Sequence, residues 1–151
     1  MAATLKIYAK FLADAVGSGS AGNAPNCDWL SDTIKCALLT NSYTPNQATH
    51  EFYSDLTNEL PSAGGYTAGG QALTGKTLVT SSLVTTFDAN DPSWNSATFT
   101  CRYAAIYDDT PATAGTKPLI AIIDLGQDYS PANGTFTVQF NVAGIFTITV
   151  A

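Results

Sequence analysis

The chain has 151 residues, 45% hydrophobic and only 12% charged, with twelve Asp and Glu against six Lys and Arg and a formal net charge of −6. That length and apolar content suit one domain with a core that needs no staples, and exclude a disordered chain, which combines high charge with low hydrophobicity. The cations Lys6, Lys10, Lys35, Lys76, Arg102 and Lys117 are scattered, which excludes nonspecific nucleic-acid binding and docking on an anionic membrane, both of which need clustered positive charge.

Residues 3–16 fit two patterns. Leu5, Tyr8, Phe11, Leu12 and Val16 make a helical stripe, whereas Leu5, Ile7 and Ala9 alternate with Lys6, Tyr8 and Lys10 as in a strand. The strand is preferred, because Ile7 and Tyr8 favour one and the rest of the chain reads as strands. Lys6, Lys10 and Asp14 interrupt any secretory signal, and no run approaches a membrane span, so synthesis and folding in a cytoplasm are expected. Residues 17–26, GSGSAGNAPN, read as a flexible linker or long loop. The expected organisation is an N-terminal strand or arm with its linker over 1–26 and a β body over 27–151.

Thr33–Thr40 is a clear strand. Within Asn46–Glu59 a short helix of one to two turns is predicted, with Thr49 as its cap, Phe52 and Leu56 on one face and Pro61 closing it. Gly64–Gly70 is a sharply turning loop. Ala72–Thr80 and Ser82–Phe87 are strands with a serine break, and Asp88–Ser93 is a turn. Ala97–Asp108 alternates as one long strand. Pro118–Leu125 is a continuous apolar strand, expected to be central. The segments GTFTVQFN and IFTITVA are expected to pair as a last hairpin, with Phe136, Val138 and Phe140 against Phe146, Ile148 and Val150. No repeat of fixed period is present. The expected fold is an all-β, single-domain sandwich or barrel of about seven to nine mostly antiparallel strands with one short helix.

Reactive groups are sparse. The single histidine, His50, sits in a polar segment without a nucleophile motif. Cys27, Cys36 and Cys101, an odd number, argue against a disulfide framework and match no zinc spacing. Asp88–Asp91 and Asp108–Asp109 place oxygens in turns, but without the central glycine and terminal glutamate of a calcium loop; turn chemistry explains both. No pair of carboxylates is singled out for glycoside hydrolysis. Gly64–Gly70 lacks the Gly-Lys-Ser/Thr ending of a phosphate loop. No catalytic residue, metal or cofactor is therefore expected. Trp29, Tyr43, Phe52, Tyr53, Tyr66 and Trp94 read first as core aromatics, and second as partner anchors or a sugar platform. Tyr8, Phe11, Trp29, Tyr43, Phe52 and Tyr53 are the candidate partner contacts.

One resemblance adds to this reading. The strings Trp29–Thr40, Tyr43–Gln47, Phe52–Glu59, Gly65–Gly70 and Leu73–Lys76, with Ala97–Ala104 and Pro118–Ile120, resemble a recurring small virion structural protein of tailed bacteriophages, similar to capsid decoration (cement) proteins. The likeness spans most of residues 28–150. It implies a non-enzymatic protein on the capsid surface, a homotrimer, with the major capsid protein as partner and no nucleic acid or membrane. A tail or head-fibre component of the same virion and a carbohydrate-binding β domain are the rival readings.

Overall fold

The computed structural model describes residues 3–16 and 27–150. Ten strands and one short helix follow in order: β1 (Thr4–Ile7), α1 (Phe11–Val16), β2 (Ile34–Leu39), β3 (Gln71–Ala72), β4 (Thr77–Ser81), β5 (Val84–Asp88), β6 (Ser93–Thr98), β7 (Cys101–Asp108), β8 (Leu119–Tyr129), β9 (Ala132–Thr137) and β10 (Phe146–Thr149). All pairings are antiparallel. They make a five-stranded sheet, β1-β8-β7-β2-β3, a three-stranded sheet, β10-β5-β4, and a two-stranded sheet, β6-β9. The all-β, sandwich-like architecture is as expected.

The large sheet is covered on both faces. Cys36 pairs with Ile106 and Leu38 with Ala104, while Ala104 and Ile106 pair with Ile123 and Ala121. These side chains point to one core, shared with Trp94, Phe87, Phe136 and Phe146 of the small sheets. The alternate residues Ala37, Leu39, Ala105, Tyr107, Leu119 and Ile122 form a second core with Tyr8 and Tyr43, against which Tyr53 and Leu56 pack. Burial on both faces is why Leu119–Ile123 is apolar without alternation.

The N-terminal segment uses both of its readings in succession. Thr4–Ile7 pairs with β8, with Leu5 and Ile7 against the first core, and the chain then turns into α1, which buries Phe11 against Phe87 and Phe146. β1 is thus the edge strand of the chain's own large sheet. The expected linker 17–26 lies outside the described residues.

Three further expectations are corrected. The Asn46–Glu59 helix reduces to one 3-10 turn, Tyr53–Asp55. Asp55 accepts the Glu51 and Phe52 N–H groups at 2.8 and 2.9 Å, and Asn46, not Thr49, takes the turn-capping role by accepting from Ala48 and Thr49. The Ala97–Asp108 strand is two strands, broken at Phe99–Thr100, where the chain passes from the β6-β9 sheet to the large one. The last hairpin does not form: β9 pairs with β6, and β10 with β5. The turn ending at Gly144 (φ +108°) carries the chain between those sheets, and Ile145 N–H bonds the Phe87 carbonyl at 2.8 Å.

Candidate interaction surface

Polar side chains inside the fold fall into three sets, the first two of which tie segments of the chain together. The first surrounds Glu59. Its Oε1 accepts from the Tyr66 hydroxyl at 2.5 Å and from Gly69 N–H at 2.6 Å, and its Oε2 accepts from the Tyr53 hydroxyl. Tyr107 donates to the Gly69 carbonyl at 2.8 Å, and its ring stacks on Tyr53 at 4.5 Å. Beside them Asp109 is held by Lys35 at 2.6 Å and Lys117 at 2.5 Å. Burial alone would raise the Asp109 pKa, but the two lysines outweigh it and hold the group below its ordinary value. Burial, then the bond to Glu59, raises Tyr53 and Tyr66, and burial followed by the Asp109 charge raises Tyr107. These phenols stay protonated donors.

The Tyr66 hydroxyl also completes the large sheet. β3 pairs with β2 only at Lys35 and Cys36. Beyond it, the Leu38 N–H donates to the Tyr66 hydroxyl at 3.0 Å, and the Leu38 carbonyl accepts from Leu60 N–H at 3.0 Å. A side chain and a loop therefore stand in for the missing strand. The glycine loop reaches this position because Gly70 (φ +74°) lies against the β2 backbone, where an added Cβ would stand 2.0 Å from the Cys36 carbonyl oxygen.

The second group is a line of hydroxyls. Tyr8 and Tyr43 share a 2.9 Å hydrogen bond, and Tyr43 meets His50 Nδ1 at 2.8 Å. Both phenol pKa values are raised, first by burial. The Tyr43–His50 bond ties the two ends of the 43–50 loop together beside the sheet.

The third group consists of buried carboxyls. Asp14 is 1% exposed and Asp108 fully buried. Among the described residues, neither Asp14 oxygen nor Asp108 Oδ2 has a hydrogen-bond partner. Burial, reinforced by Glu51, pushes Asp14 up to about 6; burial, reinforced by Asp32 against the Thr110 N–H bond, pushes Asp108 up to about 6. In the Asp88–Asp91 turn the carboxylates bond backbone: Asp88 accepts from Ala89 N–H and Asp91 from Phe140 N–H. Among the described residues no three His, Cys, Asp or Glu side chains converge on a metal-sized site. All three cysteines are buried free thiols.

Of the six expected partner contacts, four are internal. Tyr8, Phe11, Trp29 and Tyr43 are at most 3% exposed. Trp29 lies edge-on to Phe87 and Phe146, and its indole N–H donates to the Thr77 carbonyl at 3.0 Å. Their rings fill the chain's own cores and leave no face for a partner. Phe52 and Tyr53 are half-buried, Phe52 bridging to Pro118 and Tyr53 in the Glu59 group. Trp94 is also buried, against Tyr66 and Phe136, so neither tryptophan presents a sugar platform.

The exposed apolar surface lies elsewhere. Every residue of β4 is exposed, and Leu78, Val79, Leu83 and Val150 are 40–65% exposed. The register aligns Leu78, Phe87 and Phe146 across the three-stranded sheet, then Thr80, Thr85 and Ile148. Val150 N–H bonds the Leu83 carbonyl at the far end. The stacked Phe87 and Phe146 rings, 4.4 Å apart, root this face in the core, and its outer end stands in solvent. The run Thr77–Phe87 contains no charged residue. Sequence reasoning found the two strands but not the surface, whose signal was this uncharged run in a chain with scattered charges.

No family model, curated protein or solved structure matches the chain.

Proposed function

We propose that the chain is a structural component of a larger assembly, and specifically a capsid decoration protein of a tailed-phage virion that binds the outer surface of the major capsid protein shell. The observation that supports an adhesive role is the exposed strand β4, free of charged residues, at the edge of the three-stranded sheet. A cement protein works by burying apolar area between neighbours, and needs no active site. The polar groups of the interior act as fasteners for loops, and a charge-poor surface lets many copies pack closely. The phage assignment itself comes from the sequence resemblance.

The experiment is mass spectrometry of purified particles together with cryo-electron microscopy of the shell. Many copies distributed over the capsid surface are the expected result. A few copies at a vertex or on the tail would replace this reading with the fibre one. Absence from particles would overturn both.

A further inference from the structure

We infer that β4 is a strand-pairing surface for a second copy of this chain, with the two β4 strands antiparallel about Val79.

The edges of the other sheets are guarded. β1 is four residues long and carries Lys6; β3 is two residues long; β6 and β9 are irregular, with register shifts at Trp94, Ala97 and Thr98 and a left-handed Ser96 (φ +51°). Charges, shortness and bulges are the usual protections of a strand edge against foreign pairing. β4, five residues long, has neither charge nor bulge. Its register with β5 runs unbroken from Thr77–Asp88 to Ser81–Val84, it contains neither proline nor charge, and among the described residues its outer side has no strand.

Two features identify the occupant. A chain of net charge −6 repels its own copies except where a surface is free of carboxylates, and Thr77–Phe87 is such a surface. A strongly basic partner would be drawn to the acidic remainder of the chain instead. The strand also matches itself. Antiparallel pairing about Val79 sets Val79 on Val79, Leu78 on Thr80 and Thr77 on Ser81, so the five residues of β4 are used from end to end and every pair is uncharged. The product is a six-stranded sheet in which the Leu78–Phe87–Phe146 face continues from one copy into the next.

The contact is two-fold, and therefore separate from the three-fold contact that the resemblance implies. Its biological setting rests on the assembly reading above, but it is tested on the isolated protein. Failure here leaves shell binding standing, and loss of shell binding leaves this contact standing.

The three native thiols are buried, so V79C introduces an accessible thiol at the two-fold axis. Directly opposed residues have Cβ atoms about 4.5–5.5 Å apart, close to what a disulfide needs. Under mild oxidation, V79C is expected to cross-link into dimers. V142C, at the fully exposed Val142 of the 141–144 turn, is expected to remain uncross-linked. By light scattering the wild type should show a mass above the 15.8 kDa of one chain, and V79K should weaken association at least about tenfold. A monomeric wild type at high concentration, association untouched by V79K, or equal cross-linking of both cysteine variants would each overturn the inference.

Discussion

Removing a single oxygen from Tyr66 should destabilise the protein severely. In Tyr66→Phe the ring and its contacts with Trp94 and Phe99 remain, but two hydrogen bonds vanish. One is the short bond to Glu59 Oε1; the other is the bond from Leu38 N–H, in a residue with no exposed surface. The first is a bond to an acidic group, and the second leaves a buried donor with no partner; together they are worth about 3 kcal/mol. For a domain of this size that corresponds to a fall in Tm of about 6–12 °C. Tyr53→Phe removes only the bond to Glu59 Oε2 and leaves no orphaned backbone group, so about 1 kcal/mol is expected. Chemical denaturation of both variants and of Glu59→Gln, with the Tyr66→Phe/Glu59→Gln double variant closing the cycle, separates the carboxyl bond from the backbone bond. If Tyr66→Phe costs less than Tyr53→Phe, the hydroxyl does not stand in for a missing strand, and the account of the β2 edge is wrong.

Two further predictions concern pH and backbone. The raised pKa values of Asp14 and Asp108, both about 6, mean that the folded state holds protons the unfolded state has released. Their stabilising contribution is full below the ordinary carboxyl value of 3.8 and is lost as pH rises through about 6. Asp28, Asp109 and Asp124, held low by their hydrogen bonds, contribute above 3.8 and lose that contribution as pH falls. The gain in urea midpoint of the Asp14→Asn/Asp108→Asn variant over wild type should therefore be larger at pH 7 than at pH 4; an equal gain at both would refute the assignment. Gly70→Ala forces a Cβ against the Cys36 and Ala37 backbone at a left-handed φ, and a loss of more than about 3 kcal/mol is expected. Gly134→Ala, with nothing near its added Cβ, should stay within about 0.5 kcal/mol of wild type. Similar melting temperatures for the two would count against the close approach at Gly70.

Hydrophobic pattern carried part of the fold and stopped at pairing. Thr33–Thr40 and Pro118–Leu125 were legible because their apolar residues are dictated by burial on two faces, and the serine break announced the β4–β5 turn. Alternation in GTFTVQFN and IFTITVA fixed which residues share a face, but face and partner are different quantities. Phe136 faces Trp94, and Phe146 faces Phe87, through contacts distant in sequence. Four of the six partner-contact aromatics turn out to be internal for a related reason. A tyrosine or tryptophan in a polar segment has the same sequence signature whether its ring closes a core or a neighbour's pocket, and Tyr8, Phe11, Trp29 and Tyr43 close cores. The exposed hairpin was visible as two strands only. That its first strand is wet on both faces follows from the small sheet ending there.

The pairing of β1 with β8 has a kinetic side. Thr4 meets Asp124 and Ile7 meets Ala121, so the earliest strand waits for one of the latest before its backbone groups find partners. Contacts of such sequence separation make folding slow. Until β1 arrives, the outer edge of β8, whose first five residues are all apolar, is open. During that interval this edge is open to chaperones and to wrong pairing.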